Sequence, residues 1–158
     1  MLPAVTQHRR PRLVVCEDGS EYIDRFRRFL GDAFDFTPAS DLAAALAACD
    51  GAGGLLFDLD FRRTPPERLV DEAGATSPAL DAGTRRRLAQ SQGILILRAL
   101  RARGVTLPAI LFADLDDADQ AGFLERSLEP LVVAPSSIGL REIAALVRGW
   151  TPTAAPAR

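Results

Sequence analysis

Short apolar runs alternate with helical periodicities along most of this chain. Arg12 to Cys16 (RLVVC) is short, apolar and β-branched, which predicts a buried strand. Glu17-Asp18-Gly19 follows, and Ser20 stands as the N-cap of a helix running to about Leu30. Tyr22, Ile23, Phe26, Phe29 and Leu30 share one face of that helix, and Gly31 stops it. Ala33 to Thr37 reads as a second strand closed by Pro38, and Ser40 caps an alanine-rich helix from Asp41 to Cys49. After a turn at Asp50 to Gly53 comes a third strand, Gly54 to Leu59. Further along, a helix from Gly93 to Arg103 turns Ile94, Leu97 and Leu100 inward, with Ile96 on its flank. Leu107 to Ala113 is a fourth strand, Asp116 to Leu128 a helix, and Pro130 to Ala134 a fifth strand. The last helix, about Ile138 to Trp150, carries Ile143, Leu146, Val147 and Trp150 as its stripe, with Trp150 clamping it to the sheet.

Residues 61 to about 92 break the rhythm. Prolines 65, 66 and 78 and glycines 74 and 83 punctuate them, which predicts an insert with one or two short helices. The segment is far longer than an ordinary strand-to-helix connection. The organisation is a flexible basic arm at 1–10, one domain at 11–150 with the insert about 61–92, and a disordered tail at 151–158. Alternating strands and helices predict an α/β fold, a doubly wound five-stranded parallel sheet with helices on both faces. The near-continuous apolar strands agree, because such strands are covered on both sides.

This order concentrates carboxylates. Ligands of an open parallel sheet bind beyond the carboxyl ends of its strands, where strand order reverses. Glu17 and Asp18 follow the first strand; Asp58 and Asp60 follow the third. In a 2-1-3-4-5 order those strands are neighbours, and the acidic groups share a pocket suited to a hard cation such as Mg2+. Composition then narrows the chemistry. All 19 basic residues are arginine, so no lysine exists to form a Schiff base or to place a compact ammonium beside a phosphoryl group. The single histidine, His8, lies in the basic arm, which argues against a histidine triad. Cys16 and Cys49 lack metal spacing, and Cys16 reads as a small buried hydrophobe. Glycines 51, 53 and 54 precede a strand and lack a following Lys-Ser/Thr, so they form no phosphate loop.

The motifs resemble those of a response-regulator receiver domain, and the similarity runs from about Arg12 to Gly149 apart from the insert. LVVCEDGSEYIDRFRRFL resembles the family's first strand, acidic pair and first helix. GGLLFDLD resembles its third strand, with Asp58 in the phospho-acceptor position. QGILILRALRARGVTLPAILFADLDDAD and LEPLVVAPSS resemble the segments that follow. The resemblance implies a flavodoxin-like (CheY-like) sheet of order 2-1-3-4-5, with an insertion between strand 3 and helix 3. It places Glu17, Asp18 and Asp58 as a weak Mg2+ set, with no cofactor required. The switch positions are degenerate. Ala113 replaces the family's Thr or Ser, Ala134 replaces its Lys before Pro135, and Leu131 replaces its aromatic. The acidic half of a phosphorylation site is present and the half that senses the phosphoryl group is missing.

The resulting expectation is a stand-alone pseudo-receiver, a non-enzymatic, phosphorylation-independent protein interaction module in bacterial signalling or regulation. Its partner would be another signalling protein or a second copy. Arg85, Arg86 and Arg87 in the insert, and Arg141 and Arg148 on the last helix, are the candidate contacts; Arg62 and Arg63 would also face an acidic partner. Two alternatives stay open. One is a phosphorylatable single-domain regulator using Asp58. The other is a haloacid-dehalogenase-like phosphatase, with Asp58 as nucleophile and Asp60 as acid/base, though Arg62 stands where that motif has Thr or Val. A net charge of -2 and a pI near 5.4 argue against nucleic acid and anionic membranes as partners. The absence of a secretory pattern and of a spanning apolar run gives a cytoplasmic expectation.

Overall fold

The computed structural model describes residues 9–150. His8 and most of the expected arm, and the expected tail at 151–158, lie outside the described residues. Five parallel strands form one sheet of order β2-β1-β3-β4-β5: β1 (Arg12–Cys16), β2 (Asp35–Ala39), β3 (Gly54–Asp58), β4 (Ala109–Phe112) and β5 (Leu131–Ala134). Six helices accompany them: α1 (Glu21–Leu30), α2 (Leu42–Ala48), α3 (Ala82–Gln90), α4 (Gln92–Ala102), α5 (Ala118–Ser127) and α6 (Leu140–Val147). Strand alternation divides the core in two. Leu13, Val15, Leu56, Ile110 and Phe112 pack with α1 and α6; Val14, Cys16, Leu55, Phe57 and Leu111 pack with α2, α4 and α5. The expected doubly wound α/β sheet and its strand order are what the chain forms.

Local chemistry shifts several boundaries. Pro38 lies inside β2 instead of closing it, opposite Val15. An edge strand tolerates a residue that cannot donate to the ladder. Asp41, not Ser40, caps α2 by accepting the Ala44 N–H at 2.8 Å. Ser20 makes no side-chain cap on α1. That role passes to Glu17, whose carboxylate accepts from the Tyr22 N–H at 2.9 Å and the Ile23 N–H at 3.4 Å. Arg10 is no loose arm residue: it donates to the Gly31 carbonyl and pairs with Asp35 at 3.7 Å. A side chain added at Gly54 would collide with the Trp150 ring, so Trp150 rests on the start of β3, as a clamp should.

The insert is part of the core. Phe61, Leu69, Val70 and Leu88 are buried in the cluster with α2 and α4. Each such side chain contributes roughly 1.5–3 kcal/mol, enough together to dock the segment. A 3-10 turn at Pro66–Arg68 and one antiparallel bridge, Val70 to Thr76, precede α3. Because the insert packs beside α4, that helix buries Leu95, Ile96, Leu97, Ala99 and Leu100, more than one narrow stripe, while Ile94, Arg98 and Arg101 stay partly exposed. The insert ends at Ser91, because Gln92 is the first residue of α4 and is 1% exposed. Its amide accepts the Val70 N–H at 2.8 Å and donates to the Val70 and Leu88 carbonyls at 3.1 and 3.2 Å.

Two stability predictions follow from these polar anchors. Gln92→Ala leaves buried backbone groups unpaired, at about 1–3 kcal/mol each. Urea unfolding should show a loss of about 2–3 kcal/mol, and the Val70 amide should exchange earlier than amides of β3. An unchanged midpoint would contradict the anchoring role. Glu17→Ala should cost about 1–2 kcal/mol through the lost cap, whereas Glu17→Gln, which keeps an acceptor, should not. Equal losses in the two variants would count against capping by Glu17.

Candidate functional site

The site lies at the carboxyl ends of β1, β3, β4 and β5. Register builds it. Cys16 pairs with Phe57, so Glu17 and Asp18 leave β1 beside Asp58. Asp58 pairs with Phe112 and Phe112 with Ala134, so Ala113 and Ala134 fall on the adjoining strand ends. Gly93 holds the back of the site. Its N–H donates to the Leu59 carbonyl at 3.0 Å, and a Cβ there would run into the Asp58 carbonyl oxygen. Only glycine lets α4 start this close to the end of β3.

The four acidic residues have different surroundings. Glu17 is buried under α1 as its cap. Burial pushes its carboxyl above the usual range, while the Tyr22 and Ile23 N–H groups pull it back. The Asp18 side chain is 4% exposed and is taken by Arg63: Oδ2 accepts the Arg63 backbone N–H at 2.8 Å and Oδ1 accepts Nη2 at 3.0 Å. The same guanidinium grips Glu21 with Nη1 at 2.6 Å and Nη2 at 2.9 Å, and this holds the Glu21 carboxyl down at about 2. Asp60 accepts from the Arg62 N–H at 3.1 Å and from Arg62 Nε at 2.6 Å. Asp58 is half-buried, and its Oδ1 accepts the Leu59 N–H at 2.8 Å. Burial raises its pKa above the ordinary carboxylate value; the Leu59 N–H opposes that, and the charges of Asp18 and Asp60 add to it.

These donors do not fit the expected Mg2+ set. Among the described residues no three His, Cys, Asp or Glu side chains are arranged to hold a metal ion. Glu17 is committed to a helix and Asp18 to a guanidinium, which leaves Asp58 alone of the expected three. Arg63 therefore departs from the expectation of an outward arginine awaiting a partner. Its acidic partners lie in this same chain.

The β4 and β5 ends are small and acidic. Ala113, Asp114, Asp116, Asp117 and Ala134 help line an open depression of about 320 Å³. Asp114 accepts from the Ser136 N–H at 2.9 Å and from the Ser136 hydroxyl, which holds its carboxyl below the usual range. Leu131 is buried in the core. Tyr22 stacks on Phe112 with centroids 5.0 Å apart. Burial, then the charges of Asp58, Glu17 and Asp114, push its phenol up to about 12. Periodicity marked Tyr22 only as a core residue, and nothing local to it pointed to the acidic rim.

The candidate partner residues scatter. Arg85 and Arg86 are exposed on α3, while Arg87 is paired with Glu72 within the insert. Arg141 and Arg148 are exposed at α6, one in its first turn and one at its C-cap. No helix among the described residues is long and apolar enough to cross a membrane.

No family model and no curated protein matches the sequence. Solved structures do match the fold. The receiver domain of the Francisella response regulator 1452 aligns over 87% of this chain and 93% of its own, at 18% identity and a TM-score of 0.59. A response regulator receiver domain protein from Clostridium thermocellum aligns over 87% and 90%, at 14% identity and 0.58. The Vibrio cholerae chemotaxis protein CheY4 aligns over 90% and 100%, at 10% identity and 0.61. At these identities the shared property is the fold: this chain carries the flavodoxin-like architecture of CheY-like receiver domains.

Proposed function

We propose that this protein is a pseudo-receiver, a phosphorylation-independent interaction module in signalling or regulation. The observation that carries the reading is the chemistry of the strand ends around Asp58. A phosphoryl group on Asp58 would need donors to hold its oxygens, and charge-assisted bonds of that kind are worth roughly 1.5–3 kcal/mol each. Ala113 and Ala134 supply none, the chain has no lysine, and the Asp114 carboxylate beside them would repel a phosphate. The cation that would offset the incoming charge also lacks its ligand set. Asp58 keeps the position of an acceptor without the groups that would make acceptance change shape.

An interaction module needs a surface instead of a switch. Val132 on β5 and Leu146 on α6 leave apolar surface exposed, and Arg141 and Arg148 lie on or at the end of the same helix. The partner that suits this face is another signalling protein or a second copy of the chain, with acidic groups around an apolar centre.

The first test is an amide NMR titration with Mg2+ followed by beryllofluoride, using Asp58→Asn as control. No beryllofluoride response is the expected outcome. Shifts that spread from the strand ends to α5 and vanish in Asp58→Asn would establish the phosphorylatable alternative instead. Once a partner or dimer is in hand, Arg141→Glu or Arg148→Glu should weaken the contact more than Asp58→Ala does, and equal binding by all three would contradict the proposed face.

Asp58→Asn also makes a stability prediction. The folded-state pKa of Asp58 is raised, so its protonated form is favoured by folding. Its contribution to stability is fully present below the unfolded value of about 4 and is lost as pH rises through the folded value. At neutral pH the Asp58→Asn chain should therefore melt higher, by about 2–4 °C for each kcal/mol recovered. The gain should shrink as pH falls through the raised folded value and vanish below the unfolded value of about 4. A lower melting point at neutral pH would show that the charge of Asp58 is stabilising.

A further inference from the structure

Arg63 is placed by more than its own side chain. Phe61, two residues before it, is fully buried and donates its N–H to the Ala89 carbonyl at 2.8 Å. Thr64, immediately after it, is also buried. The head of the insert is thus pinned on both sides of Arg63, which presents its backbone N–H and guanidinium to the acidic pocket together. Asp18 and Glu21 receive four hydrogen bonds from this one residue.

The floor of the pocket is shaped for it. A Cβ on Gly19 would stand 2.5 Å from Arg63 Nη2 and 2.8 Å from Cζ. The guanidinium and the Glu21 carboxylate bound to it together fill the space that any other residue's first carbon would occupy. Gly19 has no positive φ, so room for the arginine, and not backbone conformation, is what its small size provides here.

We propose that Arg63 is the resident cation of the acidic pocket, a tethered guanidinium that closes the pocket against a free divalent cation. Two facts separate this from an incidental surface ion pair, which contributes little. The Asp18 side chain is almost wholly covered with Arg63 in place, so this carboxylate has no free face for a second cation while the guanidinium stays. The guanidinium also stays protonated at every accessible pH, so the plug is permanent unless the insert moves. The inference holds whether or not Asp58 ever accepts a phosphoryl group.

The test is a Mg2+ titration followed at the amides of residues 17–19 and 58–60, with Mn2+ broadening as a second readout. Four folded chains are compared: wild type, Arg63→Gln, Gly19→Ala, and Arg63→Gln combined with Asp18→Asn. Arg63 is 58% exposed, so its replacement should leave the fold intact, which a dispersed amide spectrum verifies. Arg63→Gln should bind Mg2+ at least about tenfold more tightly than wild type, and adding Asp18→Asn should abolish that gain. Gly19→Ala keeps every charge but crowds the guanidinium together with the Glu21 carboxylate it holds, so it should shift affinity in the same direction. Equal affinity in wild type and Arg63→Gln would overturn the proposal, as would no binding by either. A gain in Arg63→Gln without one in Gly19→Ala would trace the effect to net charge instead of occupancy, and would also overturn it.

Discussion

Burial of β3 on both faces is the constraint from which the rest of the structure follows. Leu55, Leu56 and Phe57 alternate between the two halves of the core and are each at most 1% exposed. The strand sits between β1 and β4, so its backbone is also paired on both sides. Polarity can begin only where this cover ends, and it begins at Asp58. The same limit fixes where the chain can leave the sheet and where α4 must return. Gly93 permits that return by letting α4 start against the Asp58 carbonyl. An insert between those two points cannot avoid the acidic rim.

Bringing carboxylates to one rim creates a repulsion that must be met. Two unit charges about 4 Å apart interact by roughly 4 kcal/mol at an effective dielectric of 20. This chain meets it in three different ways. Glu17 turns back to the amides at the start of α1, where the helix dipole also favours an anion. Asp18 is matched by the guanidinium of Arg63. Asp58, half-buried and without an arginine partner among the described residues, is served by nearby backbone amides, and burial leaves its pKa raised. One soluble cation could serve all three carboxylates together. Here each is served separately, by groups from β1–α1, the insert and β3 itself.

The fold was legible because its signals are local and repeated. Apolar runs of strand length alternating with helical stripes required a doubly wound parallel sheet, and helix and strand order came from them directly. The caps were less legible. Ser20 and Ser40 have the right chemistry, but Glu17 and Asp41 have the right geometry, and that depends on how the chain turns out of each strand. A one-faced stripe through Ile94, Leu97 and Leu100 accounts for only part of what α4 buries. Its apolar breadth, which includes Leu95 and Ile96, was a sign that a second layer covers it. The acidic pair and Asp58 could be placed by strand order alone. The pairing of Asp18 with Arg63 could not, since it joins residues 45 apart across an irregular segment with no periodicity to fix its path.

The choice of arginine for that pairing bears on what the domain can do. A free divalent cation comes and goes with its concentration in solution. A tethered guanidinium does neither: its local concentration is set by a short covalent path and not by the solution. Its planar fork also suits two carboxylates at once, where an ammonium would offer a point charge. A pocket plugged as proposed would carry nearly constant charge whatever the divalent concentration. Ala113 and Ala134 at the adjoining strand ends offer no side-chain donor, which is the premise of the proposed non-switching module. A rim made electrostatically quiet in this way would leave the outer helix faces in one arrangement, which is what the proposed constitutive docking module requires.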